Sequence, residues 1–227
     1  TSHLSGMLQR DAKSTAQVFS SFIVHSQGKV LSSFNAKDAG KMLQFLGPQK
    51  AAQALIEAVD GGTNAAVAAV ALEALARLGV WPPSVDVPRF GVKVRGPLAD
   101  VLLVMFELNP EHSALVLTAL DPQVSASAIG AMSPATAGTL ASAIPDPKIA
   151  ALLLESMPHA KRAAMIIKMR PQPAADAASN MSVEHVVAII TTLYETQDPA
   201  TMVIANDIIS KMDSFKAGSV IVMLKED

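Results

Sequence analysis

The chain has no cysteine in its 227 residues. This excludes a disulfide framework and thiolate metal sites, and it fits a reducing compartment or an organelle matrix. Aromatic rings are scarce as well, with seven Phe, one Trp and one Tyr, 4% of the chain. Nucleic-acid surfaces combine stacking rings with concentrated positive charge. The charge is missing too, because the net value is −2. Residues 1–96 carry ten basic and six acidic side chains and residues 97–227 carry eight and fourteen, so the halves are +4 and −6. A phosphate backbone is therefore a poor partner for the larger half, and no nucleic acid is expected.

Long apolar runs are absent. The run VLLVMF at 101–106 falls far short of the ~20 residues that a spanning helix needs, and Glu73 and Arg77 interrupt the Ala-rich segment at 65–80. The expectation is a soluble intracellular chain, in the cytoplasm or in an organelle matrix such as the plastid stroma or mitochondrial matrix. The first residue is Thr1 rather than methionine, so the chain is expected to be either a processed mature protein or a piece of a longer one.

Catalytic signatures are likewise missing: there is no G-x-S-x-G, H-E-x-x-H, Walker loop or G-x-G-x-x-G. Asp60-Gly61-Gly62 reads as a connection between helices. His3, His25, His112, His159 and His185 show no i, i+4 pairing, although His112 and His185 share a position in the repeat described next. No enzyme is expected, and no cofactor or metal site. What the chain does have is apolar content of 50% with 17% charged residues, enough to build a sizeable core.

That content is periodic. Large apolar residues recur at Leu108, Leu120, Met132, Ile144, Met157, Met169, Met181 and Leu193, twelve residues apart with a single thirteen. Proline usually stands two positions after the anchor, at Pro110, Pro122, Pro134 and Pro171, with Pro147 shifted by the insertion. Before it comes Asn109, Asp121, Ser133 or Asp146. The side-chain oxygen of such a residue caps free amides of a first helical turn, and proline at the first helical position loses no hydrogen bond. Each unit therefore starts a new helix.

Small residues follow at Ala114, Ala126, Gly138, Ala151, Ala163 and Ala175, then aliphatics at Leu117, Ile129, Leu140, Leu153 or Leu154, and Ile166. These positions and the anchor form one helical stripe. Helices of about nine residues are too short to stand alone in water, so a stack is required. The methionine column at 132, 157, 169 and 181 reads as packing rather than as soft metal ligands.

The same grammar opens at Phe34 (FNAKDAGKMLQF) and again at Leu46 (LGPQKAAQALIEAV). Before it, residues 5–26 predict one amphipathic helix with Leu8, Ala12, Phe19, Phe22 and Ile23 on the apolar side. After it, TNAAVAAVALEALARLG predicts a longer helix, capped at Thr63 or Asn64 and stopped at Gly79. Prolines exclude a regular helix from VWPPSVDVPRFGVKVRGP, residues 80–97, and the alternation of Val85, Val87, Phe90, Val92 and Val94 suggests extended chain. Beyond Leu193 a helix from Asp198 and Pro199 to about Lys211 precedes a last short one, SFKAGSVIVML.

The expected fold is thus all-α, a superhelix or solenoid of short helical repeats. An N-terminal helical region (1–79), an extended linker (80–97) and a repeat domain (98–227) divide it. The run from Leu108 to Met181 resembles the intracellular N-terminal domain of MgtE-type magnesium transporters, and LNPEHSALVLTALDPQVSASAIGAM resembles the related armadillo-like units of the flagellar motor switch protein FliG. With Phe34 to Val59 the likeness covers about half the chain. It implies a superhelix of short helices, and in the transporters a regulatory cap joined to CBS and membrane domains, with acidic side chains at the domain interfaces binding the ion. Here Glu111, Asp121, Asp146, Glu155, Asp176 and Glu184 are dispersed, several of them fitting helix caps and first-turn charges. No magnesium ligand is carried over.

The function expected is a non-catalytic protein-interaction scaffold or linker subunit of a larger, multi-subunit assembly, peripheral where a membrane complex is involved. The candidate partner-binding residues are Phe19 and Phe22, Trp81 and Phe90, and the basic group Lys161, Arg162, Lys168 and Arg170. The alternative, which rests on the resemblance, is a magnesium-responsive regulatory domain.

Overall fold

The computed structural model describes residues 2–21, 30–31, 33–60, 65–82 and 96–226. Among these are fourteen helices and no strand, so the protein is all-α. Contacts divide the chain into two compact units, Thr1–Val124 and Ser125–Asp227. The two helices that follow the 80–97 segment pack on the helices that precede it.

In the first unit, α1 (Ser2–Arg10) and α2 (Ala12–Ser20) replace the single N-terminal helix. The break is at Asp11, whose extended backbone and side-chain oxygen, 3.0 Å from the Ser14 amide, start α2 afresh. Next comes α3 (Ala36–Asp60), which is really two helices joined at Gly47, where φ is 77° just before Pro48. A left-handed backbone suits glycine alone, so the unit boundary expected at Leu46 falls where the chain turns. Asn35 accepts from the Asp38 amide at 2.9 Å to start the first piece. Then follow α4 (Ala65–Leu78), ended by Gly79 with φ 77°, α5 (Pro97–Leu108) and α6 (Pro110–Ala119). The hub is α3, which packs against α1, α2, α4, α5 and α6. Gly40 allows its closest approach, since a Cβ there would lie 2.8 Å from the backbone of Ala74 and Leu75 on α4.

The short repeats continue through α7 (Pro122–Gly130), α8 (Pro134–Ala141), α9 (Pro147–Glu155), α10 (His159–Ile166) and α11 (Pro171–Asn180). Three longer helices follow, α12 (Val183–Glu195), α13 (Pro199–Lys211) and α14 (Ser214–Glu226). Proline opens α5, α6, α7, α8, α9, α11 and α13, and Asn109, Asp121, Ser133, Asp146 and Asp198 cap as their chemistry predicts. The anchors Leu120, Met132, Ile144, Met157, Met169, Met181 and Leu193 are all buried. Leu108 is not, at 53% exposed: burial ends at Met105 and the last turn of α5 is uncovered.

Within the second unit each helix packs against the helix two further on: α8 on α10, α9 on α11, α10 on α12, α11 on α13, and α12 on α14. Consecutive short helices thus alternate between two rows. Within one row, α8 and α10 approach closely at Gly138. Its missing Cβ would sit 2.6 Å from the carbonyl carbon and 2.7 Å from Cβ of Lys168, at the end of α10.

Candidate interaction surfaces

The first turn of a helix leaves backbone amides without partners, and a glutamate within the same helix commonly reaches back to the capping residue's own N–H. Here that acceptor comes from another helix, three positions earlier in the order. The Asp121 amide donates to Glu73 Oε1 of α4 at 3.1 Å, and the Arg170 amide to Ser142 Oγ, just after α8, at 2.8 Å. Likewise the Ser182 amide donates to Glu155 Oε1 of α9 at 2.7 Å, and the Asp213 amide to Ser179 Oγ of α11 at 2.9 Å. Asp121, Arg170, Ser182 and Asp213 immediately precede α7, α11, α12 and α14. Polar side chains late in one helix therefore fix where a later helix begins.

The basic group is engaged in the complementary task, at helix C-termini. Their last carbonyls lack intrahelical partners and carry partial negative charge. Lys161 Nζ donates to the Gly130 carbonyl, the end of α7, at 2.7 Å. Arg162 is 5% exposed, and its guanidinium donates to the carbonyls of Leu154, Glu155 and Met157, closing α9 at 2.9, 3.1 and 3.0 Å. Arg170 Nη2 donates to the Ser142 carbonyl at 2.6 Å. Lys168 is exposed.

Of these four candidate partner-binding cations, Arg162 lies inside and as placed offers no surface to a partner. A long side chain can fold back along its own repeat, and sequence does not say which way it goes. Burial pushes the Arg162 guanidinium down from its ordinary value while the Glu155 carboxylate opposes this.

Phe19 is fully buried in the first unit, where α2 packs against α1 and α3, so as placed it offers no surface to a partner. Trp81 is half-buried, its indole N–H donating to Asp100 Oδ2 at 2.9 Å at the start of α5. Gln44 Nε2 holds the preceding Val80 carbonyl at 2.6 Å. Trp81 therefore ties the chain leaving α4 to α5. Phe22 and Phe90, like Thr63 and Asn64, lie outside the described residues.

Of the acidic side chains in the repeats, Asp121 and Asp146 are caps, Glu111 and Glu184 stand in first turns, and Asp176 accepts from Gln172. Glu155 is different. It ends α9, where it accepts from the Ser182 amide and lies 3.0 Å from Nδ1 of His185 on α12. Burial raises its pKa, but the Ser182 N–H and the His185 ring more than offset this, leaving the carboxyl below its ordinary 4.5.

A carboxyl whose folded pKa lies below its unfolded value contributes stability fully above that unfolded value, and the contribution is lost as pH falls through the folded pKa. The thermal midpoint of the protein is therefore expected to drop on acidification below pH 4.5, and Glu155→Gln is expected to reduce that drop. If the variant followed wild type throughout the acid range, Glu155 would not be the group responsible. His112 shares the repeat position of His185 but belongs to the other compact unit.

Among the described residues there is no group of three or more His, Asp or Glu side chains that could hold a metal ion. No described helix is long and apolar enough to cross a membrane. Exposed apolar side chains concentrate instead on two helices. Val67, Val70 and Leu78 lie on α4, while Phe215, Ile221 and Val222 lie on α14. The α14 group carried no weight in the sequence reading, although Phe215, Gly218 and Val222 at i, i+3 and i+7 give the signal that could have found it.

The geometry defines a class, an all-α protein of short, proline-started helices cross-tied at their ends. Comparison with protein-family models, curated proteins and solved structures gives no match for the chain.

Proposed function

We propose that the chain is a non-catalytic scaffold, a structural or linker subunit that holds other proteins of a multi-subunit assembly in fixed relation. The observation that carries this reading is the role of the polar side chains. Glu73, Ser142, Glu155 and Ser179 accept from the first amides of later helices, and Lys161, Arg162 and Arg170 donate to the last carbonyls of earlier ones. Groups that could bind or transform a small molecule are thereby engaged in fixing one helix against another. A stack cross-tied in this way keeps the shape of its surface, which is what a scaffold requires.

In this reading the partners are proteins rather than nucleic acid, and the chain is peripheral where a membrane complex is involved, in the cytoplasm or an organelle matrix. The resemblance to the magnesium-transporter cap supports the short-helix architecture only. The test is native fractionation of extract from the source organism with antibody detection of the chain, followed by mass spectrometry of the fraction. The expected result is an assembly larger than two copies of the chain, containing other polypeptides in fixed ratio. Recovery of the chain only free, or only with itself, would overturn the proposal.

A further inference from the structure

Counted back from the anchor of its unit, each repeat helix has two flanks. One holds the seventh and fourth positions before the anchor, the other the sixth and third. Both are buried in every helix from α8 to α12: in α12, with Leu193 as anchor, they are Val186 with Ile189 and Val187 with Ile190. The sixth position faces the helix two further on, since Gly138, six before Ile144, is where a Cβ on α8 would strike Met165 and Lys168 at the end of α10.

Helices α13 and α14 keep the first flank covered and not the second. With Met212 as the anchor after α13, Ala205 and Ile208 are buried, while Asn206 is exposed and Ile209 half-buried. Leu224 stands twelve residues beyond Met212, and before it Val220 is fully buried while Gly218 and Ile221 are exposed. Gly218 therefore holds in α14 the position that Gly138 holds in α8. Each of these two helices packs on the one two places earlier, and no described helix lies two places further on. In a stack each unit meets only its neighbours, so the uncovered flank is the one on which every helix from α8 to α12 receives its successor.

The ties between helices continue in the same way. Ser142, Glu155 and Ser179 each stand two residues before an anchor and accept the amide that starts the helix three later. Thr191 and Ser210 hold that position in α12 and α13. Ser210 Oγ donates to the Asp207 carbonyl at 3.0 Å, as Ser179 Oγ donates to the Ala175 carbonyl at 2.8 Å. Ser179 spends its lone pair on the Asp213 amide, whereas that of Ser210 receives no amide among the described residues.

We infer that this end of the stack docks two consecutive short helices of a different polypeptide, the first on α13 with its starting amide on Thr191, the second on α14 with its starting amide on Ser210. The inference rests on the scaffold reading, which supplies the second polypeptide, and adds where and by what chemistry it binds. The incoming pair must present a free flank of small or aliphatic residues at the seventh and fourth positions. The repeats of a second copy do not supply one, because those two positions are buried in every helix from α6 to α13, and in α14 Ala217 is half-buried and Val220 fully buried.

Gly218→Arg in the full chain is the main test. No described atom lies within 4 Å of a Cβ there, and arginine is the better helix former, so the fold is kept while a charge stands where the incoming helix lies. Tagged wild type, Gly218→Arg, Ile221→Arg and the control Thr139→Arg, exposed on α8 outside both flanks, are expressed in the source organism and isolated by native fractionation. A photo-cross-linking residue at 221 identifies what touches the flank. The expected adduct is a short-helix segment of another polypeptide, and both flank variants are expected to recover roughly tenfold less of it than wild type and Thr139→Arg, with circular dichroism unchanged. Full recovery with both flank variants would overturn this inference and leave the scaffold reading standing. Equal loss with Thr139→Arg, or an adduct within the same polypeptide or to a second copy, would overturn it as well. A wild type recovered only free would overturn both.

Discussion

Replacing Arg162 by alanine is expected to cost about 3 kcal/mol or more of folding stability, the largest loss from any single charged residue discussed above. One guanidinium serves the carbonyls of Leu154, Glu155 and Met157 at 2.9–3.1 Å. A buried acceptor left without its donor costs roughly 1–3 kcal/mol, and here the carbonyls of Glu155 and Met157 lose theirs together while that of Leu154 keeps the Met157 amide at 3.1 Å. Water entering the space would recover part of that. Lysine at 162 keeps the charge but not the planar fork, so it can reach only some of these oxygens and should fall between alanine and wild type.

Urea unfolding of the full chain gives the free energies, and hydrogen exchange localises the effect. In Arg162→Ala the amides of Ser156 and Met157, which bond to Leu152 and Leu154 at the end of α9, should lose protection first. A change below about 0.5 kcal/mol, the scale of an ordinary surface substitution, would show that Arg162 is the solvated cation its sequence neighbourhood implies.

That contrast marks what sequence could and could not convey. Helix starts were legible because their chemistry is local: Asn109 with Pro110, Ser133 with Pro134 and Asp146 with Pro147 each act within one turn. The buried stripe was legible because period 3.6 follows from backbone geometry. Neither Arg162 nor Glu155 was, because each acts between helices. Glu155 receives the amide of Ser182, 27 residues on, a distance set by the packing of α9 near α12 and by no local pattern.

The same limit explains the N-terminus. The apolar positions of residues 5–26 fit one helix by periodicity, whereas Asp11 accepting from the Ser14 amide makes two. Phe19 was read as a partner contact because nothing in its own helix shows that α3 lies over it.

The second large effect is expected at Gly138, where the sign separates packing from propensity. Alanine is the better helix former by about 0.8–1 kcal/mol, so propensity alone predicts that Gly138→Ala stabilises α8. The structure predicts the reverse. The new methyl would stand 2.6 Å from the Lys168 carbonyl carbon and 2.8 Å from the Met165 carbonyl oxygen. These are backbone atoms, which cannot turn aside as a side-chain tip does, so α8 and α10 must separate.

Overpacking of a tight site typically costs 1–3 kcal/mol and occasionally more, and the net loss expected is about 2 kcal/mol. Gly6→Ala on α1, where nothing lies within 4 Å, is the control and should be neutral or slightly stabilising. Thermal and urea unfolding of both variants beside wild type decides the matter. If the two alanines shifted stability in the same direction, the close approach of α8 and α10 at Gly138 would not exist in solution. The packing of each helix on the one two places further along would then lose its tightest contact.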